Sequence, residues 1–595
     1  MSSIQPNFEL LSRIWHHLSR RKRRQFALLL VLMLLTSFME IISIGAVIPF
    51  LAILTDPTYV FTHARAQPII NFFGVIEPKQ LLLPLTLAFC FAVLIAGSMR
   101  LTMLWVNSRL SFAAGAELSI NIYRRTLYQP YSVHVARNSS EIINGIASKT
   151  NNTINTINSI ITIIATFFTL TGILVTLLIL EPFIGLAVFG GFGVIYTLII
   201  RFTRIRLLTN GHIIARESTN VIKSIQEGLG GIRDVLIDAN QNVYCQIYTR
   251  ADQPLRRAQG NNAFISSSPR FLMEALGILL IAFIAYIMSQ QPNGIAKGIP
   301  MLGAFALGAQ RLLPLLQQVY SAWSSFQGSR VSLQDTLELL DQPIPNYAYQ
   351  SPTSSFPFRK HIKLKQISFR YSREGPWVIS NLNLTINKGS RVGFIGTTGS
   401  GKSTLLDIVM GLLEPTIGCI YVDDKLITQD NQRGWQCQIA HVPQVIFLFD
   451  STIEENIAFG VPKKEINHNR VQQAAQQAQI ASFIESLPNK YKSFVGERGI
   501  GLSVGQRQRI GIARALYKKA DVIIFDEATS ALDSETEQEV MTALEFISSD
   551  ITILMIAHRL STLKGCSQIV EIVDGGVRQI GTYEDVVNKS NLYES

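Results

Sequence analysis

Six stretches of this chain are each long and apolar enough to cross a lipid bilayer, at about residues 26–54, 81–106, 159–180, 183–202, 271–289 and 299–325. A crossing helix needs about 20 predominantly apolar residues. Hydrocarbon offers the backbone no partner, so each stretch has to satisfy its own N–H and C=O groups as a helix. The third and fourth are parted only by Glu181-Pro182, a tight hairpin turn. The first run, Phe26 to Leu54, far exceeds the core of a signal peptide, about 7–15 residues, and reads as a retained helix.

Past residue 325 the apolar excess ends. Hydrophobic residues make up 48% of the chain and charged ones 16%, whereas soluble proteins carry roughly 25% charged residues. Two solvents are implied, lipid for the first part and water for the second. The net charge of +11 falls largely beside the apolar runs, at Arg20, Arg21, Lys22, Arg23 and Arg24 and at Arg201, Arg204 and Arg206. Positive charge there marks the cytoplasmic end of a span and attracts anionic headgroups. The expected outer loops, 55–80, 181–182 and 290–298, carry only Arg65, Lys79 and Lys297. Basic residues are not interleaved with aromatics, so no nucleic-acid partner is expected. Cys90, Cys245, Cys419, Cys437 and Cys566 lack the paired spacing of a disulfide framework or zinc site.

Segments 107–158 and 203–270 are polar yet poor in breakers. They read as helices continuing into the cytoplasm, reversing near Gln129-Pro130 and Gly228–Gly231. The expected organisation is a membrane domain over 1–341, a proline- and serine-rich linker over 342–360, and an α/β domain over 361–595. In that last part, runs such as Ile362–Tyr371, Arg391–Ile395, Gln438–Val442 and Val522–Phe525 alternate with helical stretches.

Arg391–Ile395 is followed by Gly396-Thr397-Thr398-Gly399-Ser400-Gly401-Lys402-Ser403-Thr404 and a helix. This is a phosphate-cradling loop in its strand–loop–helix setting: glycines let backbone N–H groups turn inward at a helix N-terminus. Lys402 is expected at the β- and γ-phosphates and the Ser403 hydroxyl on Mg²⁺. Val522–Phe525 runs into Asp526 and Glu527. An Asp at a strand end suits Mg²⁺ held through water, and an acid one residue on can polarise attacking water as general base.

With Leu502-Ser503-Val504-Gly505-Gln506 added, the set resembles the ATP-binding-cassette ATPases, and the whole chain resembles their exporter-type half-transporters. The fold so implied is an all-α six-helix membrane domain followed by an α/β P-loop NTPase domain. The resemblance implies ATP and Mg²⁺ as cofactors. It assigns Tyr371 to stacking on adenine, and Gly396, Gly399, Ser400, Gly401, Lys402, Ser403 and Thr404 to the phosphates. It further assigns Gln444 to sensing Mg²⁺, His558 to the γ-phosphate, Asp533 in Ser530-Ala531-Leu532-Asp533 to the dimer interface, and Gly496-Glu497-Arg498-Gly499 to the helices that couple the domains. Ser503, Gly505 and Gln506 match the signature that completes the site of a second copy, so a homodimer is implied. Val504 stands where the family usually has Gly, which implies altered turnover at most.

Within the spans lie Glu40, Arg100, Glu274 and Arg311. Charge there faces a cavity or a partner. Glu40 and Arg311 fall at similar depth and are expected to line one cavity; snorkelling or a static ion pair is the plainer alternative. Phe38-Met39-Glu40 with Pro49-Phe50, Pro269-Arg270 opening span five, and Arg311-Leu312-Leu313-Pro314 are similar to flippases of lipid-linked oligosaccharides and to bacterial polysaccharide exporters. That resemblance implies a lipid-linked glycan as substrate and an external helix over 66–76, and makes Arg201, Arg204, Arg256, Arg257 and Arg270 candidates for anion contact, with juxtamembrane anchoring the plainer alternative for each. Membrane lipids are the expected partners, and a bacterial plasma membrane with the nucleotide domain cytoplasmic is the expected location. Export of lipids, peptides or hydrophobic drugs is the alternative, and an ATP-gated channel or membrane regulator the alternative of another class.

Overall fold

The computed structural model describes residues 7–46, 50, 80, 82–180, 182–289, 294–345, 348, 356–496, 499–527, 537–538, 541–542, 549–557 and 560–585. The chain divides into two compact units, Met1–Gln129 with Arg137–Ile344, and Pro130–Ala136 with Pro345–Ser595.

The first unit is helical. Its main elements are α1 (Asn7–His17), α2 (Arg20–Gly45), α3 (Leu82–Leu127), α4 (Thr150–Leu180), α5 (Pro182–Gly230), α6 (Gln241–Ser289) and α7 (Gly294–Leu340). By length and composition, Arg20–Ser43, Leu82–Leu127 and Ser139–Val175 are sufficient to cross a membrane among the described residues. Their large apolar side chains are often exposed, as at Leu28, Leu83, Phe91, Leu94 and Trp105, a pattern suited to solvation by hydrocarbon and not by water. Five basic residues open α2, at the end where a helix dipole disfavours cations. The bilayer boundary, not helix electrostatics, explains that placement. α6 runs through the expected start of span five at Pro269-Arg270: Pro254 and Pro269 both lie inside it, each forgoing a backbone hydrogen bond.

α1 packs Leu10 and Ile14, with Leu18 just past its end, into a core with Phe26, Leu29 and Met33 of α2, Leu118 and Ile122 of α3, and Leu333 and Leu337 of α7. Polar ties cross between helices elsewhere. Asn107 donates to Asn158 at 2.9 Å, Asn210 to Asn262 at 2.8 Å, and Asn144 to Ser218 and Thr219 at 3.0 and 2.8 Å. Arg13 and His17 both reach Asp341 just past α7.

The second unit is α/β. Strands β1 (His361–Phe369), β2 (Ile379–Asn387), β4 (Ile417–Val422) and β5 (Lys425–Leu426) form an antiparallel sheet in the order β2-β1-β4-β5. Strands β3 (Arg391–Ile395), β6 (Ile439–Val442), β7 (Val522–Asp526), β8 (Thr552–Ile556), β9 (Gln568–Val573) and β10 (Gly576–Gly581) form a second sheet, β10-β9-β3-β8-β7-β6. It is parallel from β9 to β6. β7 and β8 read as unbroken apolar runs and are buried almost throughout, as strands covered on both faces must be. In such sheets ligands collect beyond the carboxyl ends of the strands. Here the segments leaving β3, β7 and β8 share that edge.

Candidate functional site

β3 delivers the chain to the phosphate loop, and α8 (Lys402–Val409) carries it away. Gly396 has φ +146°, and a Cβ there would sit 2.1 Å from the carbonyl oxygen of Ile572; at Gly401, φ +97°, it would sit 2.7 Å from that of Val378. Backbone strain and overlap thus act together at Gly396. Gly396→Ala is expected to destabilise the full chain by about 3 kcal/mol, read as a lowered apparent melting temperature; an unchanged value would refute this reading of the loop.

Lys402 is buried, and its ammonium donates to the carbonyls of Gly396 at 2.8 Å and Thr397 at 2.9 Å. Burial lowers its pKa, against the opposing pull of Glu527 and Asp526. The Ser400 hydroxyl is buried with no hydrogen-bond partner among the described residues, a polar atom left for a ligand. Ser403 hydrogen-bonds Asp526, whose pKa is raised by burial and by Glu527 despite that bond and Lys402. Glu527 leaves β7 in a left-handed turn, φ +50°, and its N–H donates to the Ile556 carbonyl at 3.2 Å. The Gln444 amide donates to the Glu527 carboxylate at 2.9 Å. Lys402, Ser403, Asp526, Glu527 and Gln444, from three separate segments, therefore meet at the carboxyl edge of the sheet. Ser403, Asp526 and Gln444 offer a hydroxyl, a carboxylate and an amide oxygen. Those are hard donors suited to Mg²⁺, which takes few protein ligands and leaves the rest to phosphate and water.

β1 ends at Phe369, and Tyr371 beyond it is mostly exposed. Its ring meets Phe369 edge-on at 5.0 Å, and its hydroxyl lies 3.2 Å from that of Thr404, which leaves an aromatic face for a base. His558, Asp533 with Ser530–Leu532, and Glu497-Arg498 lie outside the described residues, as do Arg311's side chain and segment 66–76.

Beyond a short helix α9 (Ile453–Ile457), the signature residues open α10 (Val504–Lys518). Ser503 is its N-cap and forms a capping box with Gln506: the Ser503 hydroxyl accepts from the Gln506 N–H, and the Gln506 side chain accepts from the Ser503 N–H. The Ser-x-x-Gln spacing carried that signal. One lone pair of the hydroxyl is used, so its O–H stays available to donate. Val504 takes the first helical position and is 40% exposed.

Two further residues escaped the sequence reading. Asn456, fully buried on α9, exchanges hydrogen bonds with the backbone of Phe449, and Arg514 donates to the carbonyls of Phe447 and Asn456. Together they pin the segment that follows Gln444. Asp407 on α8 also escaped that reading: burial first, then Asp526, pushes its pKa up to about 6. Unfolded Asp titrates near ~3.9, so the folded chain holds this proton more tightly. The resulting stability is fully present below about pH 4 and is lost as pH rises through about 6. Without nucleotide or Mg²⁺, Asp407→Asn is expected to stabilise by about 1 kcal/mol at around pH 7.5, after solvent screening, and not at around pH 4. Equal gains at both pH values would exclude this origin.

In the first unit, the intramembrane acids carry partners. Glu40 pairs with Arg100, 60 residues away in sequence, and Glu274 with Arg270 at 2.7 Å. Of the arginines expected to meet an anion, Arg256 also has an acid one turn off, Asp252 at 3.1 Å.

Residues 379–530 match the family described as ABC transporter. The chain carries an ABC transporter domain. A curated ATP-dependent lipid A-core flippase of Desulfotalea psychrophila is 33% identical over 64% of this chain and 65% of its own length. One of Ralstonia nicotianae is 28% identical over 80% of each. ATP-binding cassette sub-family B member 5 of Mus musculus is 34% identical over 62% of this chain and 30% of its own. The chain thus spans less than two thirds of the mouse and Desulfotalea relatives. A solved bacterial Atm1-family ABC exporter with ATP bound superposes with a TM-score of 0.74 at 23% identity, covering 96% of this chain and 97% of that one. The helical unit followed by the ABC transporter domain is therefore the fold of an ABC exporter.

Proposed function

We propose that the chain is one half of an ATP-driven exporter or flippase, acting as a homodimer on a lipid-linked oligosaccharide or polysaccharide precursor. The observation that carries it is the convergence of Lys402, Ser403, Asp526, Glu527 and Gln444 at the carboxyl edge of the sheet, Glu527 being held by Gln444 at 2.9 Å. The relatives named lipid A-core flippases support a lipid-borne substrate.

On this reading Lys402 exchanges its loop carbonyls for the β- and γ-phosphate oxygens, and Tyr371 stacks on the base. Mg²⁺, held by Ser403, Asp526 and Gln444, would neutralise charge developing on the phosphates. Glu527 accepts the proton of the attacking water, and Gln444 fixes the carboxylate's orientation. A second copy supplies Ser503, Gly505 and Gln506 to complete each site. His558 and Asp533 join it by resemblance. Binding and hydrolysis then alternate the access of the helical unit, in a bacterial plasma membrane with the nucleotide domain on the cytoplasmic side.

The test is ATP-dependent flipping of a fluorescent polyprenyl-pyrophosphate glycan in proteoliposomes. Flipping by the parent and none by Glu527→Gln is expected. ATP hydrolysis without flipping would reject the glycan while leaving the exporter, and would turn the search to lipids and peptides.

A further inference from the structure

Two cavities of about 840 and 980 Å³ lie among the helices of the first unit. They share Asn158, Thr162, Gln310, Pro314 and Gln318 as walls, so they adjoin. Along α7, Gln310, Gln317, Ser321 and Ser325 follow one another at steps of seven, four and four residues and line one face. Across from them, α4 contributes Asn158, Thr162 and Thr166. Asn158, Gln310 and Gln318 are exposed, although a bare amide at membrane depth is unfavourable unless it lines a polar space.

The charge of this lining is zero. The charged walls of the smaller cavity are Arg270 and Glu274, and those of the larger are Glu40 and Arg100. Each arginine is paired with the acid of its own cavity. With each arginine matched by an acid, the lining presents an anion with no net positive charge to attract it. The uncharged polar wall groups are amides and hydroxyls, each able to donate and accept, and they stand beside apolar walls such as Leu101, Leu104, Ile161 and Met273. That is the complement of a surface of sugar hydroxyls.

We propose that this paired cavity binds the uncharged glycosyl portion of the transported lipid through Asn158, Gln310 and Gln318, and that it does not read the substrate's phosphate. The proposal rests on the exporter reading above and narrows it: recognition sits on the hydroxyl-rich part of the cargo. Thr166 donates to the Gln318 amide oxygen at 3.4 Å, which orients the Gln318 NH₂ group as a donor.

The experiment uses the full chain in phosphatidylcholine nanodiscs and reads ATP hydrolysis against added lipid. A neutral diglycosyl diacylglycerol is expected to stimulate turnover, and phosphatidylglycerol is not. Gln318→Leu is expected to raise the half-saturating glycolipid concentration roughly tenfold, and Gln318→Asn, which keeps an amide, to recover most of it. The double variant Arg270→Gln/Glu274→Gln is expected to keep the preference for the neutral lipid. Stimulation by phosphatidylglycerol or by a neutral apolar peptide in place of the glycolipid would overturn the proposal, as would Gln318→Leu leaving the response unmoved. Glu527-dependent hydrolysis with no response to any probe would also overturn it while sparing the ATPase. Absence of Glu527-dependent hydrolysis would bring down the underlying reading.

Discussion

Replacing Glu527 with Gln is expected to slow ATP hydrolysis by about 10²–10⁴-fold while leaving ATP binding close to that of the parent. The substitution removes the only property a general base needs, a lone pair that can take a proton at neutral pH. It keeps nearly everything else. An amide oxygen can still accept from Gln444, so the 2.9 Å contact and the left-handed turn at φ +50° can both persist. Two measurements separate chemistry from folding. Steady-state hydrolysis should collapse, and the rise in melting temperature on adding ATP should survive, because that rise depends on affinity alone. Hydrolysis within about threefold of the parent would remove Glu527 from the chemistry, since general-base catalysis is worth far more than that.

Lys402→Met is expected to act on the other half of the cycle and weaken ATP binding by roughly 10- to 150-fold, the equivalent of losing about 1.5–3 kcal/mol of charge-assisted hydrogen bonding. Met keeps the buried stem and deletes the ammonium. In the parent that ammonium already has two carbonyl partners, Gly396 and Thr397. The measured loss is therefore the difference between phosphate and carbonyl as partners, and the low end of the range is the better expectation. Equilibrium titration with a fluorescent ATP analogue decides it. Unaltered affinity would mean that Lys402 serves the loop and not the nucleotide.

The nucleotide loop was legible because its parts are contiguous. Glycines, lysine and the Ser-Thr pair fall in one run between a strand and a helix, and the geometry that needs them is local. Asp526 and Glu527 were legible for the same reason, as the polar end of an apolar strand. The bond from Gln444 to Glu527 joins residues 83 positions apart, and only the order of strands in the parallel sheet brings them together. The pinning of the Gln444 segment by Asn456 and Arg514 was unreadable on similar grounds: Asn456 looks like any polar residue, and its complete burial is a product of the tertiary fold. The capping box at Ser503 is written in the Ser-x-x-Gln spacing, on the same residues that match the signature. In the membrane part, hydropathy located the apolar runs but said nothing about which acid faces which base. The Glu40–Arg100 pair depends on how α2 lies against α3, information a periodic pattern does not hold.

The length of the helices has a mechanical consequence. α7 spans 47 residues and α6 spans 49, about 70 Å of rod at about 1.5 Å per residue. That is more than twice the roughly 30 Å of a bilayer's hydrocarbon. A stiff rod of that length is a lever: a tilt of about 10° about one end carries the other through about 12 Å. Modest swings at one end of such a bundle become large apertures at the other, and no helix has to unwind to make them. What elasticity the levers have should sit at Pro254 and Pro269 of α6 and at Pro314 of α7, where the hydrogen-bond ladder is already cut.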